Sequence, residues 1–190
     1  WSIEDTKGWA WGSARSLRHK PSAVRARRPL KIGGEDIFYD RMAAWKIASL
    51  GDTATEFVKQ GGLVAWIRSS LGDEKRAAFV ADAIDQAQSD NIQANDLLVT
   101  RICGALDADG PVRYRGLAIC NDGFGAATAS ALGTGDLKLQ NTLAELFRSN
   151  YLAGWESSQK MTRENAGGNI NYADLTRCME NAAPGFGLER

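Results

Sequence analysis

From Glu35 onward, apolar side chains recur at helical spacing, and short polar or glycine-bearing breaks divide the chain into segments. The stretch EDIFYDRMAAWKIASLG sets Phe38, Met42, Trp45 and Ser49 at steps of four, three and four, with Ile37, Arg41, Ala44 and Ala48 beside them. It predicts a helix from Glu35 that ends at Gly51. Asp52 is placed to cap a short helix through Lys59, closed by Gly61 and Gly62. LVAWIRSSL, ended by Gly72, is apolar around most of its circumference and reads as a central packed element. Asp73 then caps DEKRAAFVADAIDQAQ, in which Ala77, Val80, Ile84 and Ala87 form one stripe and Asp82 and Asp85 lie off it. A further helix is expected over 95–106, with Leu98, Ile102 and Leu106 on one face.

The pattern breaks at DADGPVRYRGLAICNDGFG, where the short runs VRY and LAIC predict two small strands or an ordered loop. Residues 126–132 make a weak, alanine-rich helix. Asp136 caps the strongest helical segment, DLKLQNTLAELFRSNYLAGWE, whose Leu139, Leu143, Leu146, Phe147 and Tyr151 share a face. A last helix, NYADLTRCMENAA, is stopped by Pro184. The expected fold is mainly α: a multi-helix globular domain over 35–183, with six or seven helices and a small β-hairpin near 112–120. An extended basic arm over 1–34 precedes it, and a tail over 184–190 closes the chain.

The arm differs in character from the helical region. Three tryptophans fall within its first eleven residues with no period around them, and between Gly12 and Pro29 the larger apolar residues are Leu17 and Val24. Such a segment has little with which to bury itself. The chain opens on Trp1 rather than Met, as a trimmed or processed product would.

Charge sharpens this division. The whole chain balances 23 basic against 23 acidic residues, yet residues 1–34 hold eight basic and two acidic groups, net +6, which leaves −6 on the remainder. Seven of the cations, Arg15, Arg18, Lys20, Arg25, Arg27, Arg28 and Lys31, fall in the 23 residues 12–34 without one acid. Five are arginines, whose planar guanidinium forks onto phosphate oxygens as an ammonium does not.

Candidate chemistry elsewhere is thin. A single histidine, His19, excludes HExxH and three-histidine zinc sites, and its neighbours Arg18 and Lys20 make it a poor base. Cys103, Cys120 and Cys178 form no CxxC and read as structural thiols in a reducing compartment, the alternative being one disulfide plus a free thiol. DADG, residues 107–110, begins like a calcium loop, but position twelve is Ala118 where a bidentate glutamate is needed, so it reads as a turn. The glycines of NDGFGAATASALGTG lack both the spacing and the βαβ context of a dinucleotide site. No catalytic residue, cofactor or metal is expected. No membrane association is expected either: no 18-residue apolar run occurs, and residues 1–34, whose tryptophans and cations would suit an anionic lipid surface, show no sustained apolar helical face.

A basic arm on an acidic body suits two partners at once. The seven cations suit a polyanion recognised by its phosphate lattice, with single-stranded RNA as the expected ligand. The charge dipole suits a second copy of the chain, repeated head to tail into a ring or filament. Together they point to a self-assembling structural protein that coats or packages nucleic acid, of the coat-protein or nucleoprotein class, inside a cell or within an assembled particle such as a virion. The alternatives are a helical interaction or adaptor domain that binds no nucleic acid, and an enzyme of unfamiliar type.

Overall fold

The computed structural model describes residues 25–89, 94–108, 110–120, 123–149 and 151–152. The fold is mainly α, with two small antiparallel hairpins. The described chain divides into two compact units, residues 25–118 and residues from Ile119 on.

The first unit opens with strands β1 (Leu30–Ile32) and β2 (Glu35–Ile37), paired antiparallel in the register Leu30 to Ile37, Lys31 to Asp36 and Ile32 to Glu35. The two-residue loop is Gly33-Gly34, at φ 58° and 78°. Positive φ at both central positions is what a type I′ turn demands, and glycine meets it without a Cβ penalty. Ala26, Leu30, Ile32 and Ile37 are buried in the main core. Residues 25–34 therefore belong to the body and not to an extended arm, and the boundary expected at residue 34 is corrected. The physical reason is the alternation Leu30-Lys31-Ile32, too short to stand out beside the helical pattern after it, which buries one face of a strand.

Helix α1 (Asp40–Leu50) comes next, and the helix expected from Glu35 begins only here because Glu35–Ile37 is strand. Its core face is Ala43, Ala44 and Ile47, while Met42 is 50% exposed. Small residues let α1 lie close to α5 (Ala94–Leu106), and the Cys103 thiol reaches the Ala44 carbonyl at 3.2 Å. Helix α2 (Asp52–Lys59) has Gly51 at its N-cap, one position before the Asp52 expected there. Helix α3 (Gly62–Trp66) runs into a π-helical turn over Ile67–Leu71, and both pack near α4 (Glu74–Ser89). Asp73 accepts from the Arg76 amide at 3.0 Å, the expected cap of α4. Ala77, Val80, Ile84 and Ala87 are buried on α4, and Leu98, Ile102 and Leu106 on α5. The stripes face the core as their spacing predicts.

Strands β3 (Val112–Tyr114) and β4 (Leu117–Ile119) form the hairpin expected near 112–120. Its loop repeats the positive-φ requirement with Arg115 (φ 46°) and Gly116 (φ 78°). A non-glycine residue there is strained, and the Arg115 guanidinium is held by Asp96 at 2.6 Å and lies over the Tyr114 ring.

In the second unit, α6 (Phe124–Thr134) and α7 (Leu137–Arg148) pack together through Phe124 and Phe147, whose ring centroids are 6.0 Å apart. Asp136 accepts from the Leu139 amide at 3.0 Å and caps α7 as expected. Leu143, Leu146 and Phe147 are buried, whereas Leu139 is only half-buried. The single long helix expected from 136 is interrupted at Ser149, where ψ is 138°. The helix expected over 171–183, the tail over 184–190 and residues 1–24 of the arm lie outside the described residues.

Candidate nucleic-acid interface

The segment from Arg25 to Lys31 is held by its backbone hydrogen bonds and by the buried side chains of Ala26 and Leu30. The Ala26 amide donates to the Phe38 carbonyl at 2.8 Å and extends the hairpin pairing past Ile37. The next amide, that of Arg27, donates to the Ser70 carbonyl in the π-helical turn at 2.9 Å. The Arg28 carbonyl in turn accepts from the Trp66 indole Nε1 at 2.8 Å. Buried backbone polar groups are thus paired, and the hairpin is tied to two consecutive helical elements.

The charged side chains of this stretch are exposed, whereas Ala26 and Leu30 are buried. Arg25, Arg27, Arg28 and Lys31 are all exposed, and none is in an ion pair with another described residue. Arg25 lies over the Phe38 ring at 4.6 Å, a cation–π contact. Lys31 stands opposite Asp36 in the strand register. At the loop end, Glu35 pairs with Lys46 of α1 and closes the hairpin against that helix. Of the seven cations expected to meet a polyanion, the structure brings these four onto one short stretch. Arg15, Arg18 and Lys20 lie outside the described residues.

A second group of charges was not legible from sequence. Asp107, just past the end of α5, accepts from Arg41 Nε on Oδ1 at 2.8 Å and from Arg113 Nη2 on Oδ2 at 2.8 Å. Asp107 and Arg113 are both buried. The turn expected at DADG is present, with the Gly110 amide donating to the Asp107 carbonyl at 2.9 Å. Gly110 is also a packing requirement, because a Cβ there would run into the Asp107 carboxylate. Thr100 Oγ1 donates to the Arg113 carbonyl at 2.7 Å and ties β3 to α5.

Cys103 borders this cluster. Burial pushes its thiol up to about 12, with the Arg113 charge pulling it partly back. At neutral pH it is a protonated, buried thiol, the opposite of an activated nucleophile. Cys120 is likewise buried, and Cys178 lies outside the described residues. Among the described residues, no three His, Cys, Asp or Glu side chains gather as metal ligands, and no helix is long and apolar enough to cross a membrane.

No protein-family model, curated protein or solved structure matches this chain.

Proposed function

We propose that this chain is a self-assembling structural protein that coats single-stranded nucleic acid, RNA being the expected form, through arginine-rich contacts to the phosphate backbone. The observation that carries the reading is the row Arg25, Arg27, Arg28 and Lys31. It consists of four exposed cations without ion pairs to other described residues, on a backbone fixed at three hydrogen bonds. A row of cations held in place loses less ordering entropy on meeting a phosphate chain than the same charges on a free tail. It also recognises charge and spacing rather than base edges, as coating any sequence requires. Residues 12–24 add Arg15, Arg18 and Lys20 to the same run of sequence.

A fixed non-specific RNA oligonucleotide, and its DNA counterpart, titrated at several ionic strengths tests the reading. If five cations neutralise phosphates, the slope of log affinity against log salt is about −3.5, at about −0.7 per contact on a single strand. Replacing Arg25, Arg27 and Arg28 by alanine should weaken all sequences by similar factors and flatten the slope by about two. Undetectable binding of the wild type at low salt, in monomeric and assembled preparations alike, refutes it.

A further inference from the structure

The outer face of α4 combines features that neither the core nor the basic row explains. Phe79 is 54% exposed, although α4 buries a full stripe of smaller residues on its opposite side. Ala78 lies beside it, also exposed, and Asp82 and Asp85 come within the next two turns, both exposed and neither in an ion pair with a described residue. Asp82 is at i+3 from Phe79 and i+4 from Ala78, and Asp85 is at i+3 from Asp82, so the four make one inclined strip with Phe79 and Asp85 at its opposite edges. Lys75 is the cation on this side of the helix; Glu74 is engaged with Arg68. A single exposed aromatic is ordinary on a protein surface. An aromatic followed by two carboxylates that no described residue pairs is more selective: it disfavours a phosphate backbone and favours a segment bearing both large apolar groups and cations.

This chain contains such a segment. Residues 1–24 carry Trp9 and Trp11, then Arg15, Arg18 and Lys20. In both, aromatics precede charges along the chain: Trp9 and Trp11 before Arg15, Arg18 and Lys20, and Phe79 before Asp82 and Asp85. The segment precedes Arg25, and 24 residues, if fully extended, would span up to about 80 Å. We propose that the α4 strip Ala78–Phe79–Asp82–Asp85 is the seat for residues 1–24 of a second copy of the chain. Tryptophan packs on Phe79, and the arginines pair with Asp82 and Asp85. The contact is heterologous, with the arm of one copy on the helix of the next, so it propagates rather than stopping at a dimer. The inference rests on the self-assembly half of the function proposed above and assigns it a surface.

The test is a charge swap in the full, nucleic-acid-free chain, read as mass by light scattering over a concentration series. Asp82→Lys with Asp85→Lys should raise the dissociation constant of assembly by about tenfold or more, because like charges then face each other across the contact. Arg15→Glu with Arg18→Glu should do the same. All four changes in one chain should restore assembly, a rescue that a misfolded body could not produce. A photoreactive residue at Phe79, with isotope-labelled and unlabelled copies mixed, should cross-link to peptides from residues 1–24 of the other copy. Wild-type protein that stays monomeric, double reversals that assemble like wild type, or a swap without rescue would each overturn the proposal. So would reversal at Asp82 and Asp85 that raises oligonucleotide affinity and leaves assembly unchanged, since the strip would then border the nucleic-acid path. Assembly that depends on this strip in a protein that binds no oligonucleotide would leave the seat standing and remove only the nucleic-acid reading.

Discussion

Asp107 Oδ2 accepts from Arg113 Nη2 at 2.8 Å, and both side chains are buried. The second oxygen of the same carboxylate is taken by Arg41 of α1, so one acid joins β3 and α1 at the end of α5. Removing its charge leaves the buried Arg113 guanidinium, and the partly buried one of Arg41, without the carboxylate that neutralises them. Asp107→Asn should therefore cost about 3–5 kcal/mol, measured by urea unfolding. The exposed Arg68–Glu74 pair provides the contrast, and Glu74→Gln should change stability by less than about 1 kcal/mol. Equal effects from the two changes would show that burial does not set the strength of the Asp107 cluster.

The Cys103 thiol is pushed from 9.0 to about 12, first by burial and against the pull of Arg113. Below about pH 9 the thiol is protonated in both folded and unfolded chains, and it adds no pH dependence to stability. Between about 9 and 12 the unfolded chain binds fewer protons than the folded one, so this group's contribution falls as pH rises. Wild type should lose more stability than Cys103→Ala when pH is raised from about 8 to about 10, as followed by denaturant midpoints. Equal losses would mean that the thiol ionises as readily in the folded protein as in the unfolded one.

Leu143 is fully buried and Leu139, one turn earlier on α7, is half-buried. Truncation to alanine leaves a cavity only where neighbours surround the side chain. Leu143→Ala should cost about 2–5 kcal/mol and Leu139→Ala clearly less, the two variants being compared by thermal unfolding. The order of the two effects is the discriminating result.

The helices that were legible are those whose burial tracks large apolar side chains. The stripes on α4 and α5 and the caps Asp73 and Asp136 all arise from spacing and local hydrogen bonding, which are properties of contiguous sequence. The face of α1 was not legible. There the contact with α5 is made by Ala43, Ala44 and Ile47, so close approach of backbones outweighs the size of Met42 and Trp45. The first hairpin was hidden for another reason. Three-residue strands give too little alternation to outweigh the helical spacing from Phe38 onward, although Gly33-Gly34 between LKI and EDI is itself a hairpin signal. Of the candidate interface, composition revealed which cations cluster, but not their support. Trp66, Ser70 and Phe38 lie far along the chain from the residues they hold, and no local pattern announces them. The Arg41–Asp107 pair spans 66 positions and was invisible for the same reason.

Gly34 sits at φ 78° with open space where a Cβ would project, so substitution there tests backbone conformation alone. Gly34→Ala should destabilise by about 1–2 kcal/mol through the left-handed penalty. Gly33→Ala carries the same penalty and a contact of 2.7 Å with Lys46 Cε, and should cost more unless that side chain swings away. Unfolding midpoints of the two variants give the comparison. A neutral Gly34→Ala would mean that the loop does not hold its positive-φ turn in solution.

Trp66 offers a way to disturb the support of the basic row without changing its charge. Its indole Nε1 donates to the Arg28 carbonyl at 2.8 Å, and its ring is buried. Trp66→Phe keeps an aromatic ring in the core but leaves that carbonyl without its donor, at a cost of about 1–3 kcal/mol in stability. The proposed function then makes a two-part prediction for oligonucleotide binding. The number of cations able to neutralise phosphates is unchanged, so the salt slope should match wild type. Affinity at every salt should nevertheless fall, because Arg27 and Arg28 would have to be ordered on binding rather than beforehand. A variant that loses slope together with affinity would show that the row has collapsed rather than loosened, and circular dichroism would register that as lost structure. A variant that binds with full affinity would mean that charge alone, without the hairpin that presents it, is sufficient for the contact.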